Sequence, residues 1–455
     1  MAGAIVGGSG QTVFDGVSID TRSIRRGELY IGIRGERFDG ADFAAAAVAA
    51  GAAGVVVPRG RGSALGEAAG SSVVIEVGDT TAALQALSRR VRAASGAKVV
   101  AITGSAGKTT TKEVTAEFLG VKYRVSRNRG NLNNHIGLPL SLLELTARPD
   151  VAVVELGMNH AGEIRTLVGI AEPDVRVWTN VGEAHLGFFS TVDAIADAKA
   201  EILEGSTAST VLIVNGDDDR ITARTRSFAG QKLTFGLELP ADIQAFDVAD
   251  RGVDGTSASI ATPVGTFKLH TPLIGRGNLF NIMAATAVGI SFGVPLAAMA
   301  ERASALKPAS HRGDVLRLAR GVVVIDDSYN ANPTATEKAL DVLRSSQSAG
   351  RRVAVLGEML ELGDQAIALH RRVGEYAAAA GVDELVAVGG PPARALADAA
   401  SGTGLILGEV RYFETSDEAA ERVSSLTKER DLVLVKGSRG ARTDKIVDRL
   451  KAEFA

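Results

Sequence analysis

A short apolar run, Val99 to Ile102, ends in a loop bracketed by Gly104 and Gly107. Lys108 and Thr109 then lead into a helix-forming segment, Lys112 to Leu119. Strand, tight loop and helix start in that order belong to a parallel sheet, whose strands are joined by crossover helices. The same order suits a nucleotide phosphate. Gly104 and Gly107 let the backbone bring the N–H groups of Ser105 and Ala106 close to phosphate oxygens. The helix start adds the unpaired N–H groups of residues such as Thr110 and the positive end of the helix dipole. Lys108 supplies a point charge, and the Thr109 hydroxyl can reach a phosphate-bound Mg²⁺. Ile102 stands where a longer loop of this kind has its first glycine, so the match is to a shortened form, G-x-x-G-K-T. A bare Gly-Lys-Thr is often only a turn; the strand before it and the helix after it favour nucleotide binding.

Strand–helix alternation recurs along the 455 residues, a length that suits about three domains. Residues 1–80 read as a small α/β domain with strands at Leu29–Ile33, Gly54–Val57 and Val73–Val77. Residues 81–308 read as a central P-loop domain on a parallel sheet, with strands at Val99–Ile102, Val151–Val154, Val175–Trp178 and Val211–Val214. Within it, Lys232 to Leu273 loses helical patterning and predicts a small antiparallel patch. Residues 309–455 alternate strictly and predict a doubly wound, Rossmann-like domain. The fold class is therefore α/β. A net charge of -3 without a basic excess argues against a nucleic-acid surface. The absence of cysteine excludes disulfides and thiolate metal sites. Met1 to Gly8 lacks the pattern of a signal peptide, and no run of 18 apolar residues offers a membrane span. A cytoplasmic monomer is the expectation.

In a parallel sheet, ligands sit beyond the carboxyl ends of the strands. Glu155 follows one central strand, with Asn159 and His160 close behind, and His185 follows another. A single Glu or His there usually solvates or caps a loop. Thr109, Glu155 and His185 beside one phosphate loop instead suit Mg²⁺ or Mn²⁺. In the segment Thr191 to Glu204, Val192, Ile195, Lys199 and Ile202 share one helical face, the apolar one. Lys199 either snorkels to solvent or is desolvated with a lowered pKa; the pattern alone favours snorkelling. A neutral amine there could add CO₂ to form a carbamate. Asn128 to Pro139 holds four Asn and one His, either as a polar loop capping the next helix or as a binding loop. Asp326-Asp-Ser-Tyr-Asn-Ala-Asn-Pro333 is turn chemistry or a holder of ribose and adenine edges.

Together, the phosphate loop, Glu155, His185 and Lys199 resemble the ATP-dependent Mur ligases of peptidoglycan synthesis. Asp326 to Pro333, Asn131-Leu-Asn-Asn134, Ile136 to Pro139, Leu356-Gly-Glu-Met-Leu-Glu-Leu-Gly363 and Lys436-Gly-Ser-Arg439 resemble the member that adds D-alanyl-D-alanine. Asp20-Thr-Arg22, Gly27 to Tyr30 and Gly35 to Gly40 resemble the family's uridine-nucleotide-binding domain. The resemblance covers all three blocks in order. It implies an ATP-dependent amide ligase, working through an acyl phosphate on UDP-N-acetylmuramoyl-tripeptide and D-alanyl-D-alanine in the cytoplasmic synthesis of cell-wall precursor.

By that resemblance Lys108 would neutralise the γ-phosphate, Thr109 and Glu155 would bind one Mg²⁺ and His185 a second, and Lys199 would be a carbamylated lysine in the metal site. Asn281 would meet the adenine, and Asn278 would also belong to the nucleotide site. Arg312, Asp327 and Asn330 would complete the nucleotide site on closure of the C-terminal domain, which would also bind the dipeptide. Asp20, Thr21, Arg22, Phe38 and Asp39 would bind the uridine nucleotide, and Asn133, Asn134, Asn159 and His160 the muramoyl peptide. The chain departs from the family pattern at Gly277, where His is usual, at Thr443-Asp444 and in the Ser310-His-Arg-Gly313 setting of Arg312; Thr21 stands where Ser is usual. Another amide ligase of the superfamily, such as a folylpolyglutamate synthetase, would share the phosphate loop but not Asp326 to Pro333. A catalytically silent precursor-binding scaffold would have no need of a desolvated lysine beside a metal site.

Overall fold

The computed structural model describes residues 3–128, 130–405 and 408–455; Arg129, within the asparagine-rich stretch, lies outside the described residues, as do Met1 and Ala2. The protein is α/β, and the chain divides into two compact units. One comprises residues 1–99, 124–157 and 165–173; the other comprises residues 100–123, 158–164 and 174–455.

The first unit holds a five-stranded sheet in the order Gly3–Gly7, Val73–Val77, Gly54–Pro58, Leu29–Ile31, Val17–Ser18. Only Gly3–Gly7 runs antiparallel to its neighbour. Small side chains let the short helix Ala44–Ala49 lie close to the sheet, where Ala44 and Ala47 pack with Tyr30, Val55 and Val57. The other face is covered by Thr80–Ser95. Asp79 caps this helix by accepting from the N–H groups of Thr81 and Ala82, and its Ala83 and Leu84 pack on Leu29, Ile31 and Val56. Burying a side chain such as Leu84 contributes about 1.5–3 kcal/mol. Ile136, Leu140 and Leu143, around the helix Gly137–Leu143, extend this cluster. Strands Val125–Arg127 and Val151–Glu155 pair in parallel within the same unit.

In the second unit, Val175–Trp178 pairs in parallel with residues 100–103 on one side and Val211–Asn215 on the other. Gln231–Gly236 continues the parallel sheet, and Ile243–Asp250 joins it in parallel too. In this sheet, Thr256–Thr262 pairs antiparallel with Ile243–Asp250 on one side and with Gly265–Thr271 on the other. The expected antiparallel patch is therefore shorter than Lys232 to Leu273. The helix Asp219–Arg224, capped by Asp218, returns the chain so that Gln231–Gly236 pairs in parallel. Its alternation of buried Leu233 and Phe235 with the more exposed Lys232 and Thr234 looks the same in either direction.

A six-stranded sheet follows in the order Asp314–Arg317, Val323–Asp327, Leu432–Lys436, Arg352–Gly357, Glu384–Val388, Val410–Phe413. All pairs are parallel except the first. The inner strands are apolar runs of Val, Leu and Ile, as strands covered on both faces require. The edge strands Asp314–Arg317 and Val410–Phe413, and the helix Ser416–Leu426, have no such run and were not anticipated. The last strand of the chain inserts between Val323–Asp327 and Arg352–Gly357, so Asp327, Gly357 and Lys436 end neighbouring strands. No helix among the described residues is long and apolar enough to cross a membrane.

Candidate active site

The phosphate loop is braced from behind. Gly104 has φ +154°, and a Cβ on it would stand 1.9 Å from Thr179 Oγ1; Gly107 has φ +81°, and a Cβ there would stand 2.3 Å from Asn281 Oδ1. Neither position accepts a side chain. The N–H of Ser105 donates to the Asn180 carbonyl (3.0 Å) and the N–H of Ala106 to Asn180 Oδ1 (2.9 Å). Thr179 Oγ1 donates to the Ala106 carbonyl, also over 2.9 Å. The front of the loop thus spends its amides on the segment after the next strand. The helix Lys108–Leu119 begins without any side-chain cap. Its first-turn amides, those of Thr109 and Thr110 among them, have no intrahelical partner and are the donors placed for an anion. Lys108 Nζ donates to the Gly104 carbonyl at 2.8 Å and so lies over the loop.

Lys199 is only 1 % exposed, on the helix Val192–Ala200. It is desolvated and does not snorkel. Burial, and then the Lys108 ammonium, push its pKa well below the ordinary lysine value. Arg176, itself buried, donates to the carbonyls of Ile202 and Glu204 just beyond this helix. Burial also lowers the pKa of His185; its hydrogen bond to Glu361 opposes that, and Lys108 and Lys199 add to the lowering. Lys108, His185 and Lys199 therefore share one electrostatic neighbourhood.

Asn281 is buried beneath Gly107. Its Oδ1 accepts from Thr111 Oγ1 (3.2 Å) and its Nδ2 donates to Asn278 Oδ1 (3.1 Å), while Asn278 Nδ2 donates to the Ile274 carbonyl. The structure thus places Asn281 as a prop of the loop and Asn278 as the residue that holds Asn281. Arg312, Asp327 and Asn330 come together at the carboxyl end of the six-stranded sheet. Arg312 stacks over Tyr329 at 4.2 Å, and Lys436 Nζ bonds Asp327 Oδ2 (2.5 Å) and the Asn330 carbonyl (3.1 Å). The helix Pro333–Ser345, which follows, reaches the loop's surroundings: a Cβ on Gly182 would lie 3.6 Å from Thr334 Oγ1 and 3.8 Å from Ser105 Cβ. His160 lies near the surface, with Nδ1 3.3 Å from Glu163 Oε1 and its ring edge-on to Phe188; the Asn159 N–H donates to Glu163 Oε2.

In the first unit, Glu155 is 2 % exposed. Asn133 Nδ2 donates to its Oε1 at 2.5 Å, and its N–H donates to Asn128 Oδ1 at 3.1 Å. Its Oε2 is buried with no hydrogen-bond partner among the described residues. Asn134 Oδ1 accepts from the N–H groups of Ile136 and Gly137 at the start of the next helix, which is the capping role. Asp20 grips the Nε of Arg22 and its N–H, each at 2.9 Å, and these bonds lower the Asp20 carboxyl to about 2. Thr21 lies between them. Phe38 is 69 % exposed and meets Phe43 edge-on, and Asp39 Oδ1 accepts from the Ala41 N–H. No group of three or more His, Asp or Glu able to hold a metal occurs among the described residues.

Asn180, Glu183 and Glu361 were not singled out from the sequence. Glu361 lies within Leu356 to Gly363, and Asn180 and Glu183 lie between the strand Val175–Trp178 and His185, but nothing in the local pattern says which side chain reaches across.

Three family models match the chain: Mur ligase family, catalytic domain, over residues 13–92; Mur ligase middle domain over 102–289; and Mur ligase, glutamate ligase domain, over 311–439. A UDP-N-acetylmuramoyl-tripeptide–D-alanyl-D-alanine ligase of Bacillus subtilis is 35 % identical, with 97 % of this chain and 94 % of that protein aligned. The ligase of the same name from Escherichia coli is 36 % identical over 96 % and 94 %. Among solved structures, MurF from Acinetobacter baumannii superposes with a TM-score of 0.86 at 32 % identity, covering 97 % of this chain and 94 % of that one. MurF from Thermotoga maritima in complex with ADP gives 0.83 at 28 %, covering 96 % and 97 %.

Proposed function

The chain belongs to the Mur ligase family, and we propose that it joins D-alanyl-D-alanine to UDP-N-acetylmuramoyl-tripeptide as ATP is cleaved to ADP. The observation that carries this reading is the gathering of Lys108, His185 and desolvated Lys199 beside an uncapped helix N-terminus. It occurs in a chain matched over nearly its whole length by ligases of that name.

The terminal carboxylate of the tripeptide attacks the γ-phosphorus of ATP, giving an acyl phosphate and ADP. The amine of D-alanyl-D-alanine attacks the acyl carbon; the tetrahedral intermediate loses a proton and expels phosphate, leaving the amide. Two anions must meet in the first step, so the protein works mainly by neutralising charge and holding geometry. Lys108 and the first-turn amides of Thr109 and Thr110 would meet the phosphates. The acyl phosphate must be kept from water, and the C-terminal sheet block, whose Thr334 lies beside Gly182 next to the loop, would serve to cover it.

The donor set fits Mg²⁺. A buried carboxylate oxygen without a hydrogen bond, Glu155 Oε2, is costly unless a cation meets it. Glu155 in the first unit, and the Thr109 hydroxyl and His185 in the second, are the residues that would serve as Mg²⁺ ligands. Bound there, Mg²⁺ supplies charge stabilisation to the transferring phosphoryl group. Lys199, whose pKa burial pushes well below the ordinary lysine value, suits addition of CO₂, which would turn its amine into a carbamate. The block 1–80 would bind the uridine nucleotide through Asp20, Arg22 and Phe38, with 81–308 holding ATP and 309–455 the dipeptide, in the cytoplasm.

The test is ADP release with Mg-ATP and the UDP-muramoyl-tripeptide, adding D-alanyl-D-alanine, L-glutamate or no amine. Turnover with D-alanyl-D-alanine alone is expected. No turnover with any amine sinks the reading.

A further inference from the structure

The segment Gly182 to Phe189 follows the strand Val175–Trp178, and residues of the C-terminal block grip it at three points. The Arg372 guanidinium forks onto Glu183, with Nη1 2.8 Å from Oε1, while its Nε bonds Glu337 at 3.0 Å. His185 Nδ1 lies 2.7 Å from Glu361 Oε2, and the Gly187 N–H donates to the Glu361 carbonyl, again at 2.7 Å. The backbones touch as well: a Cβ on Gly363 would stand 3.0 Å from Gly187 Cα. His185 has φ +65° and Glu361 φ +64°, so two non-glycine residues facing each other are both left-handed. Such backbones persist where surrounding contacts over-determine them. Here those contacts come from the opposite block, 176 residues away in sequence.

We propose that Glu361 is a positioning residue for His185, and that with Arg372 it makes the metal-binding orientation of this imidazole depend on the C-terminal block being closed. The inference rests on the ligase reading above. A carboxylate accepting from Nδ1–H holds the tautomer in which Nε2 carries the lone pair. Nε2 makes no hydrogen bond with any described residue, so it is the atom left for a cation. Glu361 and Arg372 both belong to the C-terminal block, so any displacement of that block would remove the carboxylate, the fork on Glu183 and the bond to Gly187 together. The second metal position is then complete only once the block that delivers the dipeptide has arrived, which ties phosphoryl transfer to the presence of the acceptor.

The test uses the full chain. Mn²⁺ binding is titrated by the electron paramagnetic resonance of free Mn²⁺ in the presence of ADP, and the Mg²⁺ concentration for half-maximal ADP release is measured alongside. Glu361→Ala is expected to weaken one class of Mn²⁺ site by about 10–100-fold, the usual cost of removing a carboxylate behind a ligating histidine, and to raise the half-maximal Mg²⁺ correspondingly. Glu361→Gln keeps the length and an accepting oxygen and is expected to recover part of the loss; it also serves if the alanine variant folds poorly. Wild-type protein that turns over while both variants bind Mn²⁺ as tightly as it does overturns the role of Glu361. Wild-type protein that releases no ADP with any amine overturns the ligase reading instead.

Discussion

Lys199→Met tests whether this lysine is held neutral. The side chain is 1 % exposed and makes no hydrogen bond or ion pair with the described residues. Burial is the first cause of its lowered pKa and Lys108 the second. From the folded pKa up to the unfolded value near 10.5, the unfolded chain binds one more proton at this position than the folded chain. Stability therefore rises with pH across that window, by up to ~1.4 kcal/mol per pH unit. Methionine has nearly the same length and no proton to bind, so it removes this slope. It also removes a buried amine without a partner, whose burial costs about 1–3 kcal/mol. The variant should be more stable than wild type at pH 7, with the gap narrowing as pH rises. At roughly 2 °C per kcal/mol for a large domain, the gap in Tm closes by on the order of 3 °C per pH unit. Calorimetry at pH 7, 8 and 9 in CO₂-free buffer reads it, because a carbamate would take the amine out of the titration. Parallel movement of the two Tm values would refute the claim that the folded protein holds this amine neutral. ADP release by the variant should be lost at every pH.

Two further substitutions probe the loop and the C-terminal sheet. Gly107→Ala places a Cβ 2.3 Å from Asn281 Oδ1 in a left-handed backbone, which costs about 1–2 kcal/mol in conformation alone, and it displaces the Asn281 bond to Thr111; titration calorimetry should show ADP binding weakened at least ~10-fold, and wild-type affinity would contradict the placement. Arg351→Met leaves Asp431 (1 % exposed) and Glu384 (7 %) without their shared guanidinium; breaking a buried pair from one side costs about 3–5 kcal/mol, so denaturant unfolding of the C-terminal block should shift strongly, and an unchanged midpoint would show that solvent screens both acids.

The elements that were legible are those whose own residues decide them. Apolar β-branched runs such as Val353–Leu356 and Leu432–Val435 form inner strands wherever they are buried, and the glycines at 104 and 107 admit a loop that other residues could not adopt. Elements without such local insistence were missed or misread. Asp314–Arg317 and Val410–Phe413 are half-buried edges, and Gln231–Gly236 carries an alternation that is silent about the direction of its neighbour. At the site, the position of Lys199 on an apolar face was readable, but its ionisation was not. Snorkelling and desolvation share one helical pattern and differ only in what covers the helix. Asn134 followed the capping reading, whereas Asn133 from the same stretch holds Glu155.

The sequence by itself determined the α/β class, the phosphate loop with Lys108 and Thr109, and the identity of the groups able to meet a phosphate or a cation, because these depend on residues within one turn or one strand of each other. Only the tertiary structure decided that the amides of Ser105 and Ala106 are spent on Asn180, that Asn281 props the loop, and that Glu361 holds His185. Each of those is a contact between segments far apart in the chain. Its existence depends on how packed elements bring side chains together, which no local pattern of residues encodes.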